Sequence, residues 1–317
     1  MLVVAVMAGL TAGCGGPTAP TPPPGGPPVL TCPNTVAAVA SSDAGAVVSF
    51  KLPFSAGGRE PVAITCSPGS GQLFPVGTTT VSCAAVDAAA ATGACTFLLQ
   101  VAPVPRLTLT RFLAFGDSIT AGEVTVPVAN LGSAGGQAYR QIVVPAFSYP
   151  AVLSEQLRQR YVVQSVTVEN AGRPGDAAAT AFPRFQAAMS ASRPEVVLLL
   201  MGFNDLENRN TVDAAYLALE RMAKDARGRG ARVFLGTLTP SIPGRQRSQS
   251  ESLILRLNDA IRTLAAGETA VLVDLYQAAL PNVEAWIGVD GLHPTEAGYA
   301  RIADQFFAAI RADLEAR

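Results

Sequence analysis

The charged side chains of this chain are spread unevenly, and that unevenness limits its architecture more than any other feature. Residues 1–105 hold Asp43, Lys51, Arg59, Glu60 and Asp87, five of the 47 Lys, Arg, Asp and Glu, and the remaining 212 residues hold 42. The change falls at Pro103-Val104-Pro105, a proline cluster that interrupts any regular element. A 317-residue chain broken in this way reads as two domains of different character. Lys and Arg number 23 against 24 Asp and Glu, a net charge of -1 that lacks the basic excess of a nucleic-acid binder and the acidity of a disordered chain. Apolar residues make up 49% but aromatics only 6%, so the cores are mainly small and aliphatic. No apolar run reaches the roughly 18–20 residues of a membrane span. The one histidine, His293, excludes a multi-histidine zinc site, and no metal or organic cofactor is expected.

Residues 1–13 read as a targeting segment: Met1 to Leu10 are apolar, and Thr11-Ala12-Gly13 lead to Cys14. No Lys or Arg precedes the cysteine. The segment resembles a bacterial lipoprotein signal, which implies that Cys14 is lipidated and that the protein is exported, periplasmic or cell-surface, and held to a membrane by acyl chains alone. Residues 14–28 include the run Pro17 to Pro28, whose proline density favours an extended, semi-rigid stalk.

Residues 29–103 look all-β. Val47-Val48-Ser49-Phe50, Val62 to Cys66, Thr79 to Cys83 and Cys95 to Val101 are short β-prone runs separated by Gly, Pro and Ser clusters, the pattern of a small sandwich. Cys32, Cys66, Cys83 and Cys95 admit three disulfide connectivities. Cys66 and Cys83 close two successive strands, while Cys32 opens the first segment and Cys95 the last, which favours Cys66–Cys83 and Cys32–Cys95. So small a core needs such cross-links. The strings Cys32-Pro33, Cys66-Ser67-Pro68-Gly69-Ser70-Gly71 and Phe74-Pro75-Val76-Gly77-Thr78-Thr79-Thr80-Val81-Ser82-Cys83 resemble the HYR (hyalin repeat) domain, an immunoglobulin-like module. Ala84 to Asp87 and Cys95-Thr96-Phe97 extend that match. The resemblance implies a spacer, or a module that binds a surface glycan or protein.

Residues 106–317 alternate strand and helix. Strand-like runs lie at Arg111–Phe115, Val162–Val168, Glu195–Met201, Arg232–Leu238 and Ala270–Leu275. Helical segments lie at Tyr149–Arg160, Gly175–Ser190, Val212–Gly228, Ser248–Ala265 and Pro294–Ala316. Alternating βα units predict an α/β fold with a parallel sheet between two helical layers, and Val196 to Leu200 is uniformly apolar, as a central strand should be. Sites in such sheets form beyond the carboxyl ends of the strands.

Four short blocks sit at those ends. Gly116-Asp117-Ser118 follows the first strand and puts a serine at a strand-to-helix turn, where its hydroxyl can attack and backbone N–H groups can meet a developing anion. In Asn170-Ala171-Gly172 the Gly172 N–H, and in Gly202-Phe203-Asn204-Asp205 the Asn204 carboxamide, can donate to an oxyanion. In Asp290-Gly291-Leu292-His293 the acid stands three residues before the histidine and can orient its ring.

Taken in order, these blocks resemble the SGNH hydrolase superfamily, also called GDSL lipases and esterases, from Arg111 to about Arg311. Ser148-Tyr149-Pro150 and His293-Pro294-Thr295-Glu296-Ala297-Gly298-Tyr299 match as well. The resemblance implies a flavodoxin-like three-layer fold with Ser118 as nucleophile, His293 as base and Asp290 as acid. Ser118, Gly172 and Asn204 are then the oxyanion donors, with Asp117, Gly202 and Asp205 in support. The expected reaction is hydrolysis of a small-molecule or polymer carboxylic ester through an acyl-enzyme. A carbohydrate O-acetylesterase is the alternative, and an adhesion protein on an inactive hydrolase scaffold is the alternative from another class. The stretch Glu123–Phe147, with Gly132, Gly135 and Gly136, begins just past the nucleophile and reads as a lid or substrate-binding loop, or equally as a surface insertion.

Overall fold

A computed structural model of the chain describes residues 26–128, 139–207 and 211–316. The apolar leader, Cys14 and the first part of the proline stalk lie outside the described residues, as do Gly132, Gly135 and Gly136. The chain divides between Val104 and Pro105 into two compact units.

Among the described residues, the regular elements of the first unit are all strands. These are β1 (Val29–Thr31), β2 (Val36–Val39), β3 (Ala46–Val48), β4 (Phe54–Ala56), β5 (Ala63–Ser67), β6 (Gln72–Phe74), β7 (Gly77–Val86) and β8 (Thr92–Ala102). A four-stranded sheet runs β2-β8-β7-β5, and β3-β6 and β1-β4 form two further pairs. The long β7–β8 hairpin sets the register, with Val81 opposite Phe97 and Cys83 opposite Cys95. Period-two alternation buries Val81, Cys83, Ala85, Phe97, Leu99 and Val101 on one face. Phe50 packs edge-on against Phe97, their ring centres 5.1 Å apart. Cys66 is bonded to Cys83, its register partner on β7, and Cys32 to Cys95, the pairing the sequence favoured. Four of the eight strands have no anticipated counterpart: β1, β2, β4 and β6 have three or four residues each, too few to show alternation.

The second unit carries β9 (Arg111–Gly116), β10 (Glu123–Pro127), β11 (Tyr139–Val143), β12 (Thr167–Gly172), β13 (Val196–Leu200), β14 (Arg232–Gly236) and β15 (Val271–Val273). Its helices are α1 (Ser118–Ala121), α2 (Tyr149–Arg160), α3 (Ala178–Ser192), α4 (Phe203–Glu207), α5 (Val212–Gly228), α6 (Glu251–Gly267), α7 (Leu275–Ala279), α8 (Val283–Trp286) and α9 (Glu296–Leu314). The five-stranded sheet has the order β12-β9-β13-β14-β15 and is parallel throughout. Counting sheet strands along the chain, this is 2-1-3-4-5, the flavodoxin-like order. Every residue of β13 is buried, so both of its faces are covered. α2 lies against α9, with Tyr149 stacked on Phe306 at 5.0 Å, and Phe185 of α3 meets Phe115 of β9 edge-on at 5.0 Å.

One strand starts later than its sequence suggests. Val162–Val166 is not part of a strand: Tyr161 caps the end of α2, Gln164 N–H turns back to Tyr161 O, and the Gln164 side chain accepts from Leu107 N–H and donates to Leu107 O. Pairing with β9 begins only at Thr167. The 123–147 stretch also has regular structure, an antiparallel β10–β11 hairpin with Glu123 opposite Val143.

Candidate active site

The turn that carries Ser118 follows from two local facts. β9 delivers the chain to Gly116 at the carboxyl edge of the sheet, and the Asp117 side chain caps α1 by accepting from Ile119 N–H at 3.0 Å. Ser118 is therefore the first residue of α1, with its own carbonyl already committed to Gly122 N–H.

At the far end of the chain, Asp290 Oδ1 accepts from both Leu292 N–H and His293 N–H at 3.0 Å. These bonds fold the segment back so that Asp290 Oδ2 lies 2.6 Å from His293 Nδ1. His293 Nε2 then lies 2.9 Å from Ser118 Oγ, across 175 residues of sequence. Asp290 and His293 are 0% and 1% exposed, so water hardly competes for the pair. Burial raises the Asp290 carboxyl, but His293 and the two N–H donors outweigh it and hold the group below the usual aspartate value. Nδ1–H donates to Asp290 in this arrangement, which leaves Nε2 able to accept from the serine.

Asn204, in the first turn of α4, is buried and donates from Nδ2 to Asp176 O at 3.0 Å, leaving its second amide hydrogen uncommitted. Gly202 joins β13 to α4 at φ +140°. Asp205 does not enter the cavity described below. Its two oxygens cap α3 by accepting from Ala178 and Ala179 N–H at 2.7 and 2.9 Å, and burial pushes its carboxyl up against those bonds. Asp117 is raised further, to about 7, because its carboxyl is buried and Oδ2 has no partner.

Gly172 stands elsewhere than expected. Its N–H is committed to Asn170 Oδ1 at 2.9 Å, so it is not offered to a ligand. Gly172 is needed for close packing, because a Cβ there would come within 2.1 Å of Ala121 N. The residue that reaches the cavity is Gly175. Asp176 N–H bonds Arg173 O across Pro174-Gly175, and Gly175 has φ +78°, a type II turn. No hydrogen bond among the described residues uses the Gly175 N–H. The Pro-Gly pair inside Arg173-Pro174-Gly175-Asp176 was the available signal for that turn.

Ser118, His293, Asn204 and Gly175 open onto a cavity of about 300 Å³, which is completed by Pro174, Glu123, Gln141 and Arg247. The last three were not singled out from the sequence. The β10–β11 hairpin supplies Glu123 and Gln141, and the Gln141 amide lies 3.3 Å from His293 Nδ1. Arg247 reaches the rim from the segment before α6, held by Glu207 at 2.8 Å. Arg184 went unnoticed too: it donates to Gly116 O and Ala171 O and pairs with Asp176, tying together the ends of β9 and β12. A second cavity of about 570 Å³, lined in part by Arg111, Arg193 and Glu195, opens at the opposite ends of the strands. Among the described residues, no group of three or more His, Cys, Asp or Glu is arranged to hold a metal ion.

Comparison with known proteins agrees with this geometry. The GDSL-like lipase/acylhydrolase family model matches residues 114–301, and the HYR domain model matches residues 25–101. Esterase TesA of Pseudomonas aeruginosa is 26% identical over 144 residues, 45% of this chain and 69% of the relative. The lipase/acylhydrolase from Enterococcus faecalis superposes with a TM-score of 0.53 at 24% identity, over 65% of this chain and 97% of that one. The acetylxylan esterase Axe2 from Geobacillus stearothermophilus gives 0.50 at 18% identity, over 63% and 94%. These two likenesses are of fold.

Proposed function

We propose that this chain, which belongs to the GDSL-like lipase/acylhydrolase family and hydrolyses ester bonds, does so as a serine esterase through Ser118, His293 and Asp290. The observation that carries the reading is the pair of contacts at the imidazole, 2.9 Å to Ser118 Oγ and 2.6 Å to Asp290 Oδ2. His293 Nε2 takes the hydroxyl proton as Ser118 Oγ bonds to the ester carbonyl carbon. The resulting oxyanion is met by the Ser118 N–H, the free hydrogen of Asn204 Nδ2 and the Gly175 N–H, which takes the part expected of Gly172. His293 returns the proton to the departing alcohol oxygen, and the acyl group stays on Ser118. Water, deprotonated by His293, then attacks the acyl-enzyme, and His293 returns that proton to Ser118 Oγ as the acid is released.

Steady-state hydrolysis of an aryl acetate tests this directly. Ser118→Ala and His293→Ala should lose turnover down to a weak residual, and Asn204→Ala should lose on the order of 10²–10³ in kcat. A protein that is only a scaffold for adhesion would show no turnover in any form.

The setting we infer is extracytoplasmic, with Cys14 lipidated and the β-rich unit serving as a spacer. Two disulfides in that unit support export, since such bonds persist in oxidising compartments. Incorporation of labelled fatty acid, lost in Cys14→Ser, is the expected result; incorporation unaffected by that change excludes the anchor.

A further inference from the structure

Glu123 is the one carboxylate lining the cavity among the described residues, and the proposed hydrolysis leaves it without work. It opens β10 directly after α1, and Tyr299 Oη fixes its backbone by donating to Glu123 O at 2.6 Å. Its side chain is 11% exposed, and Oε1 lies 3.7 Å from His293 Nε2. Among the described residues, no Lys or Arg pairs with this carboxylate and no hydrogen-bond donor reaches it. Neither oxygen is sealed off in the protein, so the carboxylate faces the cavity it lines. With no donor supplied by the described residues, this carboxylate is an open acceptor for a bound molecule that carries one.

Position says which part of the substrate would supply it. Resting on the esterase reading above, Nε2 is the atom that hands a proton to the leaving alcohol. A group 3.7 Å from Nε2 is therefore beside the alcohol, within reach of a substituent on the carbon next to the leaving oxygen. The remaining lining agrees: Gln141, Asn204 and Arg247 are polar, and among the described residues Pro174 is the lone apolar side chain lining a space of about 300 Å³. A long alkyl alcohol would find little apolar wall there and would leave Glu123 without a donor.

We infer that Glu123 is a specificity-determining residue: its carboxylate accepts a hydrogen bond from a hydroxyl neighbouring the scissile ester, so that the preferred substrates are esters of polyhydroxylated alcohols.

The test uses the full chain and two acetates, a mono-O-acetylated methyl glycoside with a free hydroxyl beside the ester and its deoxy analogue lacking that hydroxyl. Wild type should favour the hydroxylated ester by at least roughly tenfold in kcat/KM, and Glu123→Ala should reduce that preference to within about twofold. Fluorophosphonate labelling and the unfolding midpoint establish that the variant is folded. Should the alanine variant fail to fold, Glu123→Gln keeps the shape with a weaker, uncharged acceptor and should cut the preference by roughly threefold or more. A labelled, active wild type indifferent to the hydroxyl overturns the inference alone. So does an equal loss on both acetates, which would place Glu123 in service of His293 instead. A wild type that neither labels nor hydrolyses either acetate overturns the esterase reading and the inference with it.

Discussion

Two aspartates of the site are pulled in opposite directions by their surroundings. Asp290 has the imidazole and two backbone N–H groups to hold its charge, whereas Asp117 is buried with one N–H donor and an unpartnered second oxygen. Asp290→Asn should keep the packing but weaken the grip on the ring tautomer, lowering kcat by on the order of 10³–10⁴ with little change in KM. For Asp117 the sign follows from a folded value of about 7 against an ordinary 3.8. Between about pH 4 and 7 the folded state keeps a proton the unfolded chain has lost, so stability falls as pH rises through that window. Asp117→Asn preserves the cap on Ile119 and removes the titration. Denaturant unfolding at pH 5 and 8 should show a flatter pH dependence and a gain on the order of a few kcal/mol at pH 8. Ser118, Asn204, Asp290 and His293 were all legible because their spacing within short blocks carries the chemistry. Gly175 was not, because which glycine N–H stays free depends on where the Asn170 side chain turns, and Glu123 was not, because it lies outside those blocks, in a stretch that reads only as a loop.

Elements were legible where periodicity runs long. α2 and α5 have the bounds their apolar spacing predicts, and β13 reads as buried on both faces from five consecutive aliphatic residues. β12 was anticipated five residues early, since Val162 to Val166 is β-prone in composition while the Gln164 side chain holds it in a turn against Leu107. The β10–β11 hairpin left no clear sequence signal, as its two short strands are separated by a long connection. The end of α2 illustrates how one side chain secures an element. Glu315, just past α9, accepts from Arg160 Nε and Nη2 at 2.7 and 2.6 Å and from Tyr161 Oη at 2.7 Å. These donors hold its carboxyl down at about 2, against an ordinary 4.5. A lowered acid stabilises above its unfolded value and loses that contribution as pH falls towards the folded one. Glu315→Gln should therefore cost about 1–2 kcal/mol at pH 7, and the difference from wild type should close towards pH 2–3.

At the scale of the whole molecule, two units with different means of holding together share one chain. The second unit has a parallel sheet with a large aliphatic and aromatic core, whereas the first has a small core and two disulfides. Removing disulfides from a small domain typically costs about 2–5 kcal/mol. Reduction should therefore lower the melting transition of the β-rich unit and leave the rate of ester hydrolysis unchanged, as scanning calorimetry and an activity assay in reductant would show. The charge break at Pro103-Val104-Pro105 already pointed to that division, because a chain stripped of charge over a hundred residues needs another way to stay folded. The central claim, that Ser118 is the nucleophile, is tested most directly by labelling the intact protein with a fluorophosphonate and locating the adduct by peptide mass mapping. One adduct on Ser118, absent in Ser118→Ala along with turnover, is the predicted result; an adduct on another residue, or ester hydrolysis that survives Ser118→Ala undiminished, would contradict it.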